Sequence, residues 1–482
     1  MHWRYSVRCP PDLEGNRMRH LKADIAIIGG GAAGLSIAAG AAQMGARVVL
    51  FESGQMGGDC LNTGCVPSKT LLAEAAAREV EARLTPETAY RDAMQEVARV
   101  ISAISPHDSV ERFESLGVTV INQHARFDGM RHLVSADYSV RFKRAVIATG
   151  AEPAIPNIPG LEQVPYLTTD TLWSHGSHPR RLMIIGAGPV GIELALAHQK
   201  LGASVVLVEQ VQLAPQLPAA AGDCIRSMLT EAGVRVLEGW EPERVNVHEG
   251  AVNVAFRSQP AIEVDTLLLA SGRFPSTDGL NLESAGVQST GGRIETNVRM
   301  QTSNRSIYAI GDVTTRGGLT HLASHHAAIV LRHALFRIPA RVDQAIVPRV
   351  IYSHPEIAHA GMTEAELTAR PDAGGLRRLH VPMADNDRAM TESALHGGIW
   401  VVATKRGEVL SVTIVSEGAG DLIMPWVLLM QQGGKLSTMA GLVFPYPTRG
   451  ELSKRVAGQF YQAKLFSKPM RLLVQILCRL LP

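Results

Sequence analysis

The chain has 482 residues, and at about 150 residues per domain this length predicts roughly three domains. Apolar residues make up 46% and charged residues 19%, so the chain can bury a large core and is not intrinsically disordered. With 47 Lys and Arg against 45 Asp and Glu the net charge is +2, which gives no basic surplus for nucleic-acid binding. We therefore expect a large globular protein that does not bind nucleic acid.

The first 22 residues contain no apolar core of the kind found in signal peptides, so we expect a cytoplasmic protein. We interpret residues 1–22 as a disordered leader, within which Met18 is an alternative start. Five cysteines are too few for a disulfide scaffold, and Cys60 and Cys65 are the one close pair in the sequence. A close pair in a cysteine-poor chain indicates redox or metal chemistry.

Two segments repeat one pattern of strand, glycine-rich turn, helix and strand. The first consists of a strand over 23–28, the glycines Gly29, Gly31 and Gly34, a helix over 35–44, and a strand over 47–52 that ends in Glu52. The second consists of a strand over 181–185, the glycines Gly186, Gly188 and Gly191, a helix to Leu201, and a strand over 204–209 that ends in Glu209. The spacing from the first glycine to the glutamate is the same in both copies.

This pattern is typical of dinucleotide binding. Its glycines allow a tight turn, close approach of a pyrophosphate and helix–strand packing, while the helix N-terminus attracts the phosphates and the glutamate accepts hydrogen bonds from ribose. The alternative is a pair of glycine-rich turns without ligands. Two such units predict two dinucleotides, as in an enzyme that passes electrons from a nicotinamide to a flavin. Glu209 is followed by Gln210, Val211 and Gln212, which include no cation for a 2′-phosphate, so we expect NADH rather than NADPH.

The remaining pattern completes an α/β fold with a C-terminal α+β domain. Strands that end in small-residue turns at Gly150 and Gly272 close the two sheets, and helical patterning over 67–116 is placed inside the first domain. The predicted boundaries are a first dinucleotide-binding domain over 23–155 and 278–345, a second over 156–277, an α+β domain over 346–462 and a basic amphipathic tail over 463–482.

The cysteine pair lies in the segment 57–69, GGDCLNTGCVPSK. In a regular helix, residues five apart have Cα atoms roughly 8–9 Å apart, whereas a disulfide needs less than about 7 Å. We therefore expect Cys60 and Cys65 to lie at a distorted helix start or in a loop, where the next helix N-terminus stabilises a thiolate. Half of a zinc site and two inert core thiols are the alternatives.

This segment resembles the redox-active signature of the class I pyridine nucleotide–disulfide oxidoreductases, and the resemblance extends from about Ala23 to about Phe460. It implies an FAD domain on the first glycine unit, an NAD(P) domain on the second, and a C-terminal dimerisation domain, with active sites shared across a homodimer. It also implies a redox disulfide in which Cys65 is the charge-transfer thiolate and Cys60 the interchange thiol, and a Lys69–Glu193 ion pair. The cofactor contacts that it implies are Gly29, Gly31, Gly34, Glu52, Gly58, Lys69, Gly150, Asp312, Gly186, Gly188, Gly191, Glu209, Gly272 and Arg273.

The family pattern breaks near the C-terminus. Disulfide-reducing members carry a His-Pro-Thr segment with a Glu a few residues on, and the partner subunit's His is the acid–base for the interchange thiol. Here Tyr446 stands in place of the His, and Glu451 follows. Because an ordinary Tyr has a pKa near 10, it is a poor proton shuttle at neutral pH. The chain resembles mercuric reductases at this point, since thiolate-held metal ions need no imidazole.

The predicted electron acceptor is therefore a small molecule or a metal ion, in a mercuric-reductase-like branch of the family. Residues 461–482 contain Cys478 but no vicinal cysteine pair such as full mercuric reductases use to deliver metal. The alternatives are a disulfide reductase of the dihydrolipoyl dehydrogenase type and a flavoprotein redox sensor without turnover.

Two further segments invite a functional interpretation. His321, His325 and His326 have spacings at which helical residues can share a metal, but they match the family helix that covers the flavin, so we expect structural histidines and no metal site. The apolar run over 470–481, flanked by cations, is too short to span a bilayer. It is expected either to pack on the dimer or to lie on a membrane surface.

Overall fold

Strands and helices alternate along most of the chain in a computed structural model that describes residues 18–79, 85–342 and 346–481. The strands are β1 (Arg19–Ile28), β2 (Val48–Phe51), β3 (Val118–Ile121), β4 (Arg126–Phe127), β5 (His132–Val134), β6 (Tyr138–Ile147), β7 (Ala151–Pro153), β8 (Leu167–Thr168), β9 (Arg181–Ile185), β10 (Ser204–Glu209), β11 (Arg235–Glu238), β12 (Pro242–His248), β13 (Ala251–Phe256), β14 (Gln259–Val264), β15 (Thr266–Leu269), β16 (Arg273–Pro275), β17 (Ser289–Thr290), β18 (Arg293–Ile294), β19 (Ile307–Ala309), β20 (Arg349–Ile351), β21 (Glu356–Gly361), β22 (Arg377–Pro382), β23 (Gly398–Ala403) and β24 (Val409–Ser416). The helices are α1 (Ala32–Gln43), α2 (Gly58–Asn62), α3 (Cys65–Glu79), α4 (Pro86–Ile104), α5 (Val110–Ser115), α6 (Pro189–Lys200), α7 (Ala219–Glu231), α8 (Thr320–Phe336), α9 (Glu364–Thr368), α10 (Asp387–Thr391), α11 (Ala419–Leu422), α12 (Met424–Gln431), α13 (Leu436–Gly441), α14 (Glu451–Leu465) and α15 (Lys468–Leu480).

The described residues divide into two compact units, of which the first contains residues 18–58, 106–151 and 275–342. Its sheet has the order β3-β2-β1-β6-β5-β4, and β19 also pairs with β6. The strands β3, β2, β1, β6 and β19 are parallel. Helices α1 and α8 supply part of the core of this unit. A parallel sheet with a glycine turn after its central strand is the arrangement expected of a dinucleotide-binding domain.

The first strand begins four residues earlier than the sequence predicts. Arg19–Ala23 pairs in parallel with Tyr138–Phe142, so hydrogen bonding to β6 extends the strand into the predicted leader. These four residues are mostly polar, and their strand conformation therefore depends on the partner strand rather than on apolar patterning. The rest of the predicted leader, residues 1–17, lies outside the described residues.

The second unit contains the described residues 59–79, 85–105, 152–274 and 346–481. Its parallel sheet has the order β11-β10-β9-β15-β8, and the strands β12-β13-β14 form a separate antiparallel sheet. The C-terminal part has an antiparallel sheet ordered β20-β21-β24-β23-β22 and a core around the buried Trp426. This part has the α+β architecture that the sequence predicts. The predicted boundary at residue 345 lies outside the described residues.

Of the helical segment that the sequence places in the first domain, α3 and α4 group with the second unit, whereas α5 groups with the first. Leu71 of α3 and Tyr90 and Ala93 of α4 are buried in one core with Leu194 of α6. Gly202 explains the close packing, because a Cβ on this residue would lie 2.8 Å from the Pro86 side chain. The helix that carries Cys65 is thereby fixed on the second glycine-turn domain.

Candidate active site

The glycine turn of the first unit has the geometry that a bound pyrophosphate requires. Gly29 has a φ of +106°, and a Cβ there would lie 2.3 Å from the carbonyl oxygen of Ala148. A Cβ on Gly34 would lie 1.9 Å from the Gly29 carbonyl oxygen, whereas the nearest atom to a Cβ on Gly31 is 3.6 Å away. The first and third glycines are thus needed for packing, while the second leaves space for a ligand.

The second unit repeats this geometry. Gly186 has a φ of +107°, with a Cβ position 2.4 Å from the Ala270 carbonyl oxygen, and a Cβ on Gly191 would lie 1.9 Å from the Gly186 carbonyl oxygen. Around Gly188 no described atom lies within 4 Å of a Cβ position. Helices α1 and α6 begin after Gly31 and Gly188, which make no side-chain cap. Their first N–H groups therefore point to an anion site, and both turns fit a dinucleotide.

The predicted glutamates lie at equivalent positions beside the two turns. Glu52 accepts hydrogen bonds from the N–H groups of Gly30 and Gly54. Glu209 accepts from Ala187 at 3.0 Å and from Val211 at 3.2 Å. Each carboxylate is therefore oriented by backbone donors and keeps lone pairs for ribose hydroxyls.

Other predicted cofactor residues lie in turns of positive φ. Gly58 packs against the first turn, because a Cβ there would lie 2.7 Å from the Gly31 Cα. Gly150 and Gly272 have φ values of +71° and +110°, and no described atom lies within 4 Å of a Cβ position on either. Asp312 accepts a hydrogen bond from the Gly318 N–H at 2.8 Å. The space at Gly150 and Gly272 is consistent with close approach of a ligand.

His326 supports the turn that carries Asp312. Its Nδ1 accepts a hydrogen bond from the Gly311 N–H at 3.3 Å, and burial lowers the pKa of His326 to about 4, so the ring is neutral at pH 7. His321 and His325 are exposed, whereas His326 is buried. His326 thus has a structural role, in agreement with the expectation for this helix.

The cysteine segment is broken as predicted. Cys60 lies in the short helix α2, the chain turns at Thr63 and Gly64, and Cys65 is the first residue of α3. Gly64 is needed for this turn, because a Cβ would lie 2.9 Å from the Asp59 carbonyl oxygen. Cys60 is half-buried and Cys65 is exposed. The Cys65 sulfur lies at the N-terminus of a 15-residue helix, where a thiolate is stabilised.

Lys69 and Glu193 form the ion pair that the resemblance implies. Their Nζ and Oε2 atoms are 2.7 Å apart, and the Glu193 side chain is only 2% exposed. The other Glu193 oxygen accepts the Tyr352 N–H at 3.0 Å, and the Lys69 ammonium lies 4.6 Å from the centre of the Tyr352 ring. Burial, followed by the negative charges of Glu356 and Cys65, raises the pKa of Tyr352. Lys69 and Tyr352 also line a cavity of about 840 Å³ in the second unit.

The segment that carries the cysteines is held by two residues far away in the sequence. The Trp173 Nε1 donates to the Thr63 carbonyl oxygen at 2.7 Å. Arg273, which was predicted to contact a cofactor, forms ion pairs with Asp59 and, at 3.5 Å, with Asp170. Motif reasoning identified neither Trp173 nor Tyr352 as a site residue. Hydrophobic patterning carries no signal for such contacts.

Tyr446 is highly exposed and makes a hydrogen bond that the sequence did not predict. Its hydroxyl donates to Asp387 Oδ2 at 2.8 Å, and this bond is the main reason that the pKa of Tyr446 is raised. Glu451 was predicted to act with Tyr446, yet its buried Oε2 has no hydrogen-bond partner among the described residues. The Tyr446 hydroxyl thus donates to Asp387, and the role predicted for Glu451 beside Tyr446 stays a prediction.

Comparison with known proteins supports one family along most of the chain. Residues 23–327 match the pyridine nucleotide-disulphide oxidoreductase model, and residues 347–457 match the dimerisation domain of the same family, which indicates a homodimer. The chain is 32% identical to a mercuric reductase of Staphylococcus aureus, over 91% of this chain and 82% of the relative. It is 31% identical to a dihydrolipoyl dehydrogenase of Thermus scotoductus, over 89% and 95% of the two chains.

A solved structure shares the same fold. The Cu(II) complex of RclA, an HOCl-induced flavoprotein disulfide reductase from Escherichia coli, superimposes with a TM-score of 0.83 at 26% identity. The superposition covers 91% of this chain and 99% of that chain. The glycine turns, the cysteine segment and these matches lead to one conclusion. The chain belongs to the class I pyridine nucleotide–disulphide oxidoreductases, the FAD-dependent enzymes that take electrons from NAD(P)H.

Proposed function

We propose that this enzyme uses electrons from NADH to reduce a thiophilic metal ion that is held by Cys60 and Cys65. The observation that carries the proposal is Tyr446, whose hydroxyl donates to Asp387 at the position where disulfide-reducing members have an imidazole. A donor of this kind does not accept a proton from an interchange thiol at neutral pH. A metal ion bound by two thiolates does not require such a base.

The first glycine turn would hold FAD and the second would hold the nicotinamide cofactor. Gly31, Glu52 and Asp312 would face the first ligand, and Gly188 and Glu209 the second. Bound FAD supplies two-electron transfer between the nicotinamide and the thiols. The chain's own part is to orient both ligands through backbone N–H groups and to keep the acceptor thiols at the start of α3.

The proposed cycle balances in electrons and protons. In the reductive half, NADH gives up a hydride and the Cys60–Cys65 sulfur–sulfur bond breaks, which leaves the Cys60 thiol and the Cys65 thiolate. The metal ion then displaces the Cys60 thiol proton, which goes to solvent, and is bound by two thiolates. Re-forming the sulfur–sulfur bond delivers two electrons, which reduce the bound Hg(II) to Hg(0), or reduce the bound Cu(II) and a second Cu(II) from solution to two Cu(I).

The site's electrostatics fit these steps. The N-terminus of α3 stabilises the Cys65 thiolate, and the Lys69 ammonium lies one helical turn further along the same helix. The mercuric reductase relatives and the Cu(II) complex of RclA support thiophilic metal ions as the acceptor class. Because the cysteines must cycle as thiols, we place the enzyme in the reducing cytoplasm.

The apolar loop around Tyr446 fits a role in the partner's active site. Val443 is 93% exposed and Tyr446 is 69% exposed, which is unusual for side chains of this size unless a partner covers them. We propose that the loop docks on the second subunit, so that Tyr446 approaches the Cys60 of that subunit. The Tyr446 O–H would then turn from Asp387 and donate to a thiolate or to a metal-bound ligand.

Glu209 predicts the choice of nucleotide. Its carboxylate is fixed by two backbone N–H groups beside the ribose position, where it would repel a 2′-phosphate. We expect kcat/KM to be at least about tenfold higher for NADH than for NADPH, which corresponds to about 1.4 kcal/mol. Glu209→Gln should bring the two values closer together, whereas Glu243→Gln, an exposed control, should leave the ratio unchanged. A wild-type preference for NADPH would contradict this assignment.

A comparison of acceptors tests the proposed function. NADH oxidation is followed with the dimeric, FAD-loaded enzyme in the presence of Hg(II), Cu(II), oxidised lipoamide or glutathione disulfide. We expect turnover with at least one of the metal ions and only background rates with the two disulfides. Lipoamide turnover of about 10 s⁻¹ or more would instead support the dihydrolipoyl dehydrogenase type.

A further inference from the structure

The last helix of the chain is an amphipathic element whose residues are almost all exposed. Of the 13 residues in α15, Met470 alone is partly covered and the other 12 are exposed. Leu473, Ile476, Leu477 and Leu480 follow helical spacing and share one face. Leu480 is 75% exposed and Leu477 is 45% exposed. An apolar face of this size in contact with water marks an interaction surface.

The opposite face of α15 is cationic. Lys468, Arg471 and Arg479 lie on the side away from the leucines, together with Gln475. Residues 452–482 contain six of the chain's 47 Lys and Arg and none of its 45 Asp and Glu, so this segment carries a charge of +6. The rest of the chain consequently carries a charge of −4. Positive charge is thus concentrated in the segment that exposes the apolar face.

We propose that α15 lies flat on the surface of an anionic lipid bilayer. The leucine face would enter the boundary between headgroups and acyl chains, while the Lys and Arg side chains extend back to the phosphates. Thirteen residues make a helix of about 20 Å, shorter than the hydrocarbon core of about 30 Å. Within the described ranges, no helix is long and apolar enough to cross a membrane.

An anionic bilayer fits this helix better than the same helix of a second copy of the chain does. The dimerisation-domain match ends at residue 457, eleven residues before the start of α15 at Lys468. Each subunit of the dimer brings the same +6 segment, so contact between two tails would place like charges together. A bilayer rich in anionic lipid offers both an apolar layer and a continuous negative surface.

Vesicle co-sedimentation of the full-length, FAD-loaded dimer tests the proposal. The vesicles consist of phosphatidylcholine alone or contain about one third phosphatidylglycerol. We expect binding to the anionic vesicles only, with a loss at high salt. Leu473→Glu combined with Leu477→Glu should reduce binding about tenfold or more, and so should truncation after Phe466. Lys405→Glu combined with Arg406→Glu, on an exposed turn of similar charge, should bind like wild type.

NADH oxidation in solution by each variant reports whether the enzyme remains folded, since none of these residues belongs to the proposed catalytic machinery. Equal binding by wild type and truncation, or binding to neither kind of vesicle, would overturn the proposal. Dissociation of the truncated dimer in sedimentation velocity, without vesicle binding by wild type, would show instead that α15 packs on the second subunit.

Discussion

Replacing Cys65 with serine should lower kcat for metal-dependent NADH oxidation by roughly a thousandfold or more. Serine cannot form the sulfur–sulfur bond with Cys60, and its hydroxyl does not ionise at neutral pH even at the N-terminus of α3. Electrons from NADH would then have no route to a pair of thiols. The loss should be much the same for Cys60→Ser and for the double variant, because the two sulfurs act as one unit.

Cys478→Ser is the matched control for these variants. Cys478 is also exposed and also lies on a helix, but it is near the C-terminal end of α15 rather than in the broken segment between α2 and α3. We expect its kcat to equal that of wild type. In Cys65→Ser, the rate at which NADH reduces the bound FAD, measured by stopped flow, should remain fast. This measurement separates loss of the thiols from loss of nucleotide binding. Wild-type turnover in Cys65→Ser would refute the assignment of the redox pair.

Tyr446 should control which acceptor the enzyme uses. Tyr446→Phe removes the hydroxyl that donates a hydrogen bond to Asp387. We expect kcat with the metal ion to fall about tenfold, while the rate at which NADH reduces the bound FAD is unchanged. Asp387→Asn should have a smaller effect in the same direction, because the hydroxyl stays but loses its charged partner. Both effects should appear in kcat rather than in the KM for NADH.

Tyr446→His should create activity that the wild-type enzyme lacks. An imidazole with a pKa near 6.5 can take the proton of an interchange thiol, which the Tyr446 phenol does not do at neutral pH. We expect lipoamide reduction to rise about tenfold or more over wild type and over Tyr446→Phe. An unchanged rate in Tyr446→His would mean that residue 446 does not reach the thiols of the partner subunit.

Much of the fold could be predicted because ligand chemistry fixes the local sequence. A glycine turn must fold tightly, admit a phosphate and pack against a helix, so Gly29, Gly34, Gly186 and Gly191 stand at positions that no larger residue could occupy. The broken helix at Cys60 and Cys65 followed from the reach of a disulfide in the same way. These predictions concern neighbours in the sequence, where spacing constrains geometry directly.

The contacts that could not be predicted join distant parts of the chain. Tyr352 reaches Glu193 across 159 residues, and Tyr446 reaches Asp387 across 59. None of these four residues stands in a spacing pattern that reveals its partner, and Glu193 was identified through family resemblance alone. The early start of β1 at Arg19 has the same origin, because pairing with β6 rather than apolar patterning holds those residues.

A count of thiols tests the central claim most directly. The FAD-loaded dimer is treated anaerobically with one equivalent of NADH per subunit and then with one equivalent of Hg(II). Thiols that react with a chromogenic disulfide are counted before NADH, after NADH and after Hg(II). We predict a gain of two thiols per subunit on reduction, loss of both after Hg(II) because the sulfur–sulfur bond re-forms, and no gain in the Cys60→Ser, Cys65→Ser double variant. A reduced wild-type enzyme that gains no thiols, or a double variant that gains as many as wild type, would contradict the account.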